Sequence, residues 1–167
     1  MLVRPLREGD AEEIAAAFAG IGWEKPASQY LRCFSEQERG ERDVLVAFVD
    51  DGFAGYVTIV RRSGYPSFHS EGVPEIKDLN VLPKFRRRGV ATRLMDEAES
   101  LAARRSSVVG VGVGMTADYG AAQRMYVERG YVPDGRGLMW NGNSVDYGEK
   151  VGVDDDLVLF FTKSLGA

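Results

Sequence analysis

Hydrophobic and polar positions switch between two periods along the chain, and the switches mark the elements. Leu2 to Leu6 reads as a strand; Asp10 then caps a helix, with Glu13 in capping-box position and Ile14 and Phe18 on the buried side. Gly20-Ile21-Gly22 ends that helix. After Pro26 a second helix carries an apolar stripe of Tyr30, Leu31 and Phe34 and stops at Gly40. Val44 to Val49 and Phe53 to Val60 are two β-rich runs joined by the compact turn Asp50-Asp51-Gly52. Arg61 to Val73 reads as a polar loop with Tyr65, Phe68 and His69, a candidate cleft rim. Glu75 to Val81 is the next strand. Val90, Ala91, Leu94, Met95, Ala98, Leu101 and Ala102 then recur at helical spacing to about Ala103.

Val108 to Val113 is a strand with an unusual second face. Val109, Val111 and Val113 line one side, while Gly110, Gly112 and Gly114 leave the other bare, which points to close approach by a ligand or by a packed element. Ala117 to Arg129 is a helix with Tyr119, Ala122 and Tyr126 on one side and Gly130 as its stop. Tyr131 opens another strand. Asn141-Gly142 then turns an added hairpin over about 138–147, and Leu157 to Thr162 closes the pattern as a strand. The order predicts an α/β fold in one domain over 1–167, a mixed six- to seven-stranded sheet with helices on both faces.

Composition narrows the function classes. With 44% hydrophobic and 28% charged residues the chain is of ordinary globular type, and no apolar run is long enough to cross a bilayer. Met1 to Leu6 lacks the apolar core of a secretory signal, so a cytoplasmic location is expected. One Cys and one His exclude an internal disulfide and a Cys/His metal cluster. A net charge of −4 argues against a dedicated nucleic-acid binder, although Arg86 to Arg88 is a local basic spot.

That spot lies where chemistry is expected. Pro83-Lys84-Phe85-Arg86-Arg87-Arg88-Gly89-Val90-Ala91-Thr92 runs from a strand straight into an amphipathic helix. The first amides of a helix have no intrahelical partner and carry partial positive charge, so a Gly-containing turn with three Arg beside it can cradle a diphosphate. The glycines of Val108 to Gly114 do not form the dinucleotide fingerprint, because they lie within the strand itself.

Three features together resemble the GNAT N-acetyltransferase superfamily: Arg86-x-x-Gly89-x-Ala91 at a strand–helix junction, Leu79-Asn80-Val81 before it, and Ala122-x-x-x-Tyr126-x-x-x-Gly130-Tyr131 on the later helix. The element order agrees over nearly the whole chain. The resemblance implies acetyl-CoA as donor, with its diphosphate on the amides of Arg87, Arg88, Gly89, Val90, Ala91 and Thr92 beside Arg86. The pantetheine arm would lie along Leu79, Asn80 and Val81, where the fourth and fifth strands of the family splay apart. Tyr126 matches the family's usual general acid, which eases departure of a thiolate, and the N–H of Leu79 or Asn80 would hold the developing oxyanion. The attacking amine must be neutral, so a base is needed; Glu75 is the first choice and Asp78 the second. Tyr119 stands where the second motif often has an Asn that contacts the pantetheine arm, a contact left to Tyr119 or Asp118, with Gln123 alongside.

The resulting expectation is an acetyl transfer to a primary amine, of a small molecule or a protein N-terminus, with no metal, nucleic acid or membrane partner. A non-catalytic acyl-CoA-binding or interaction module is the alternative. Glu71, Glu75, Asp78 and Asp154 to Asp156 could favour a cationic acceptor by their potential. Trp23 and Tyr30 fall where the family shapes its acceptor pocket. Cys33 and His69 are read as a core thiol and a solvated loop residue. The added hairpin is either a cap on the acceptor cleft or the edge of a homodimer.

Overall fold

Eight strands and five helices arise from these periods in a computed structural model that describes residues 1–166. They divide into two compact units, each drawn from two stretches of chain: Met1–Arg61 with Ile76–Leu101, and Arg62–Glu75 with Ala102–Ala167.

The first unit holds β1 (Leu2–Pro5), α1 (Ala11–Ala19), α2 (Ala27–Glu38), β2 (Arg42–Val49), β3 (Gly52–Val60) and most of β4 (Glu75–Val81) and α4 (Val90–Ala103). Its strands lie in the order β1-β2-β3-β4. β1 and β3 each pair antiparallel with β2. β4 runs antiparallel to β3, since Thr58 meets Lys77 and Asp78 while Ala54 meets Leu82. Asp50 and Asp51 both take positive φ in the β2–β3 turn, a conformation Asp tolerates better than most residues. The core is aromatic: Phe18 of α1 is fully buried, stacked on Trp23 at 5.8 Å and edge-on to Phe53 at 5.8 Å and Tyr56 at 6.0 Å.

Two sequence expectations shift here. Asp10 does not cap α1 through its side chain. Its carboxylate turns back, taking both Arg4 guanidinium nitrogens at 2.7 and 2.8 Å and the Arg7 N–H at 2.8 Å, because a two-pronged charged partner outweighs a neutral amide. Glu13 leaves the capping box too and accepts the Phe53 N–H at 3.1 Å. In α2 the buried stripe is Tyr30 and Cys33, and Leu31 is exposed: the side turned inward lies one position round from that expected.

The second unit holds α3 (Pro66–Glu71), β5 (Val108–Gly114), α5 (Gly120–Glu128), β6 (Val132–Trp140), β7 (Asn143–Ser144) and β8 (Leu157–Ser164). Its antiparallel strands lie in the order β5-β8-β6-β7. With β7 as a strand of its own, the described residues form eight strands where six to seven were expected. The added hairpin is lopsided: Asn141 and Gly142 turn with positive φ as anticipated, but the returning arm pairs over only Asn143–Ser144. The segment expected to be a polar loop contains α3, because Pro66 presets the first helical turn and Phe68 has a core to enter.

That core answers what fills the bare face of β5. A Cβ at Gly110 would stand 2.1 Å from the Phe68 ring, one at Gly112 2.8 Å from Phe160, and one at Gly114 2.5 Å from Tyr119. Aromatic rings lie on this face, so the glycines are there for packing. Phe68 and Phe160 join Tyr65, Val73 and Met139 in a buried cluster, with Tyr65 stacked on Phe160 at 3.7 Å.

Candidate active site

In the first unit the turn Pro83–Phe85 leads from β4 toward α4, and the backbone between them alternates in sign. Arg87 and Gly89 take φ values of +60° and +78°. Gly89 stands at the head of α4, where its carbonyl accepts the Arg93 N–H at 3.0 Å. Glycine is required by the left-handed turn, and it offers no side-chain oxygen to cap the helix. The N–H groups of Val90, Ala91 and Thr92 therefore have no intrahelical partner, and a Cβ at Gly89 would meet nothing within 4 Å. Three arginines surround this mouth. Arg86 bonds the Val81 carbonyl at 3.2 Å, while exposed Arg88 reaches Asp50 at 3.3 Å. Unpaired amides with local positive charge fit a multiply charged anion such as a diphosphate.

β4 is interrupted in its middle. Asp78 adopts φ +54°, so the inside–outside alternation expected for Glu75 to Asn80 does not hold: Glu75 and Ile76 are both buried, and Lys77 and Asp78 are both exposed. Backbone approach is tight just beyond, where a Cβ at Gly55 of β3 would lie 2.4 Å from the Asn80 carbonyl oxygen. Gly55 thus lets β3 close on the strand that carries Leu79, Asn80 and Val81. A glycine inside a β-rich run was its sequence signal, and it was missed.

Around Asp78 and Asn80 gathers a group that local sequence patterns did not assemble. The Thr58 hydroxyl lies 3.3 Å from an Asp78 carboxylate oxygen, and Arg42 is 3.8 Å from it. The Tyr56 hydroxyl accepts from Lys25 at 3.2 Å and from the Asn80 amide at 3.4 Å. Tyr30 meets Tyr56 edge-on at 5.4 Å; their hydroxyls interact without reaching hydrogen-bonding geometry. Burial pushes the Tyr30 phenol up to about 12 and raises Tyr56 further, and it lowers the Lys25 ammonium, which the charge of Asp78 partly restores. Burial also raises the Cys33 thiol, in keeping with a core cysteine.

In the second unit Tyr126 is 6% exposed and edge-on to Tyr131 at 5.6 Å. Burial alone pushes its phenol up to about 12, so it stays protonated throughout the neutral range. Glu75 is also here, buried, accepting the Ser63 hydroxyl at 2.5 Å while the Ser63 oxygen accepts the Tyr65 N–H at 2.9 Å. Tyr119 lies in the turn Ala117–Tyr119 before α5. Its ring covers Gly114 and its hydroxyl donates to Asp155 at 2.9 Å. Gln123 donates to the Gly114 carbonyl at 2.9 Å. Other acidic residues are engaged locally: Glu71 pairs with Arg136, and Asp154 accepts from the Trp140 indole at 3.3 Å. Among the described residues no group of three His, Cys, Asp or Glu is arranged to hold a metal ion, and no helix is long and apolar enough to cross a membrane.

The family model for the acetyltransferase (GNAT) family matches residues 10–131. Solved structures match over almost their whole length. An N-acetyltransferase from Staphylococcus aureus Mu50 aligns with TM-score 0.72 at 15% identity, covering 99% of this chain and 98% of that one. The ribosomal-protein-alanine N-acetyltransferase from Brucella melitensis aligns with TM-score 0.71 at 18% identity over 98% and 99% of the two chains. The yncA protein of Salmonella typhimurium, solved with its cofactor acetyl-CoA, aligns with TM-score 0.70 at 17% identity over 100% and 95%. A comparison with curated proteins yields no significant match.

Proposed function

The chain belongs to the acetyltransferase (GNAT) family, and from that premise we propose that it moves an acetyl group from acetyl-CoA to a primary amine by direct attack, without a covalent enzyme intermediate. The observation that carries this reading is the head of α4, where three successive N–H groups without intrahelical partners stand behind a left-handed Gly89 with Arg86, Arg87 and Arg88 beside them. That is the donor set a coenzyme diphosphate requires. The yncA structure with acetyl-CoA, and two relatives described as N-acetyltransferases, support the same donor and a nitrogen acceptor.

The chemistry follows from the residues. The amine nitrogen forms a bond to the thioester carbonyl carbon, the carbonyl oxygen gains charge, and the carbon–sulfur bond breaks. The N–H of Leu79 or Asn80, next to the interruption at Asp78, serves the oxygen. Tyr126 donates to the departing sulfur. With a phenol raised to about 12 against a thiol near 8.5, proton transfer to the thiolate is uphill, so Tyr126 keeps its proton and stabilises the developing charge as a hydrogen-bond donor. Asp78, whose side chain is 45% exposed, is better suited than Glu75 to take a proton from the amine, because Glu75 is buried and holds Ser63. Leu79 to Val81 run along the pantetheine arm, and Tyr119 and Gln123 support the turn into α5.

Calorimetric titration with acetyl-CoA and an amine panel followed by free-thiol release test the proposal together. Micromolar binding with turnover of at least one amine is expected. Tight binding with no transfer to any amine, unchanged by Tyr126→Phe, would make the chain an acyl-CoA-binding module; no binding at all would remove both readings.

A further inference from the structure

Lys25, in the segment joining α1 to α2, is an unusual lysine. Its ammonium sits 5.1 Å above the Phe18 ring and 5.5 Å above the Tyr56 ring, half withdrawn from water, and no carboxylate pairs with it among the described residues. An ammonium has three donors and no acceptor, and only one of the three is used, on the Tyr56 hydroxyl at 3.2 Å.

Donors accumulate around it. The Tyr56 oxygen already accepts from Lys25 and from the Asn80 amide at 3.4 Å, so its own proton has still to be given away. The Tyr30 hydroxyl is buried, in a residue 1% exposed, with no partner. Asp78 is the carboxylate whose charge acts on Lys25, and its oxygen is taken by Thr58 at 3.3 Å and Arg42 at 3.8 Å. An ammonium with two unused donors, and two phenols whose protons have only each other's oxygens nearby and short of hydrogen-bonding geometry, thus stand on apolar rings beside Asn80 of β4. A buried donor set carrying one positive charge is completed by a singly charged group with two oxygens.

We infer that Lys25, with the hydroxyls of Tyr56 and Tyr30, binds a carboxylate on the acceptor, so that the amine substrate is of the amino-acid class. The inference rests on the acetyl-transfer reading for the role of that ligand, though not for its binding. It replaces a cationic acceptor with a zwitterionic one. Of the acidic residues expected to attract a polycation, three are engaged elsewhere, Glu75 with Ser63, Glu71 with Arg136 and Asp154 with Trp140.

The test is a matched series of glycine, β-alanine, 4-aminobutyrate and 5-aminopentanoate, each beside its carboxamide, read by calorimetry with coenzyme A present and by thiol release. At one or more chain lengths the carboxylate should be preferred by about 10- to 100-fold, the size of a lost charge-assisted contact. Lys25→Met should erase at least tenfold of that preference through KM with kcat little changed, leave the KM for acetyl-CoA as it was, and leave the carboxamides unaffected; Lys25→Arg should keep part of it. Equal or better use of the carboxamides, or a Met variant that keeps the preference, overturns the inference and leaves acetyl transfer standing. Lys25-dependent carboxylate binding without thiol release supports the inference and overturns transfer. Absence of both binding and turnover overturns both.

Discussion

Gly110→Ala adds one methyl group to β5 at a point where the structure has no room for it. The new carbon would stand 2.1, 2.4 and 2.8 Å from three atoms of the Phe68 ring, whereas carbon atoms rest about 3.5 to 4.0 Å apart. Relief needs a ring displacement of roughly 1.5 Å. Phe68 is 0% exposed and is held edge-on by Tyr65 at 4.9 Å and by Phe160 at 5.4 Å, so the displacement passes into the whole cluster. Overpacking of this kind costs up to about 3 kcal/mol. Alanine recovers about 0.5 to 1 kcal/mol relative to glycine in a strand, leaving a net loss near 2 kcal/mol. For a chain of this size that lowers Tm by roughly 4 to 8 °C. Urea unfolding of wild type, Gly110→Ala, Phe68→Leu and the double variant reads the effect. The double variant should be less destabilised than the sum of the singles by about 1 kcal/mol or more, because Leu vacates the colliding ring edge. Gly120→Ala is the control; a Cβ there meets nothing within 4 Å, and stability should hold or rise slightly. A Gly110→Ala protein melting within a degree of wild type, or an additive cycle, would refute the packing account of the glycine face.

Tyr126→Phe should lower kcat by about 100-fold with little change in the KM for acetyl-CoA, and because the phenol titrates near 12 the wild-type rate should show no falling limb from it below about pH 10; a variant with full activity removes the acid role. Gly89→Asp puts a negatively charged side chain on a left-handed position at the head of α4, so strain in the turn and repulsion of the diphosphate should together weaken the calorimetric Kd for acetyl-CoA by tenfold or more. Unchanged coenzyme binding there would count against the cradle. Asp10→Asn breaks the two-pronged contact with Arg4 and should cost about 2 kcal/mol in urea unfolding at neutral pH. Burial alone would raise the Asp10 carboxyl, but the hydrogen bonds from Arg4 and the Arg7 N–H together with the charges of both arginines hold it below its usual range. Its contribution is thus present above the unfolded value and lost as acid carries the pH down through the folded one, and the gap between wild type and variant should close below about pH 4.

Element type and order were legible in the sequence because they depend on local periodicity. The stripe of Val90, Leu94, Met95, Ala98 and Ala102 is buried as its spacing requires. Gly89, Gly130 and Asn141-Gly142 turn with positive φ where they punctuate the pattern. The left-handed turn with its three arginines at the head of α4 was legible for the same reason, being built from consecutive residues. Other features depended on partners far away in the chain. Asp10 looked like a cap because Arg4 and Arg7 could not be seen folding over it, and the loop before β4 hid α3 because only Gly110 across the second unit makes a place for Phe68.

Sequence alone therefore determined the period of each segment, the turns between them and the glycine turn at the mouth of α4, all of which are set by neighbours a few residues apart. Tertiary structure decided which of two carboxylates is exposed, what fills the glycine face of β5, and that Lys25, Tyr30, Tyr56 and Asn80 share one place. Those outcomes depend on burial and on contacts between residues tens of positions apart, and a one-dimensional pattern carries neither.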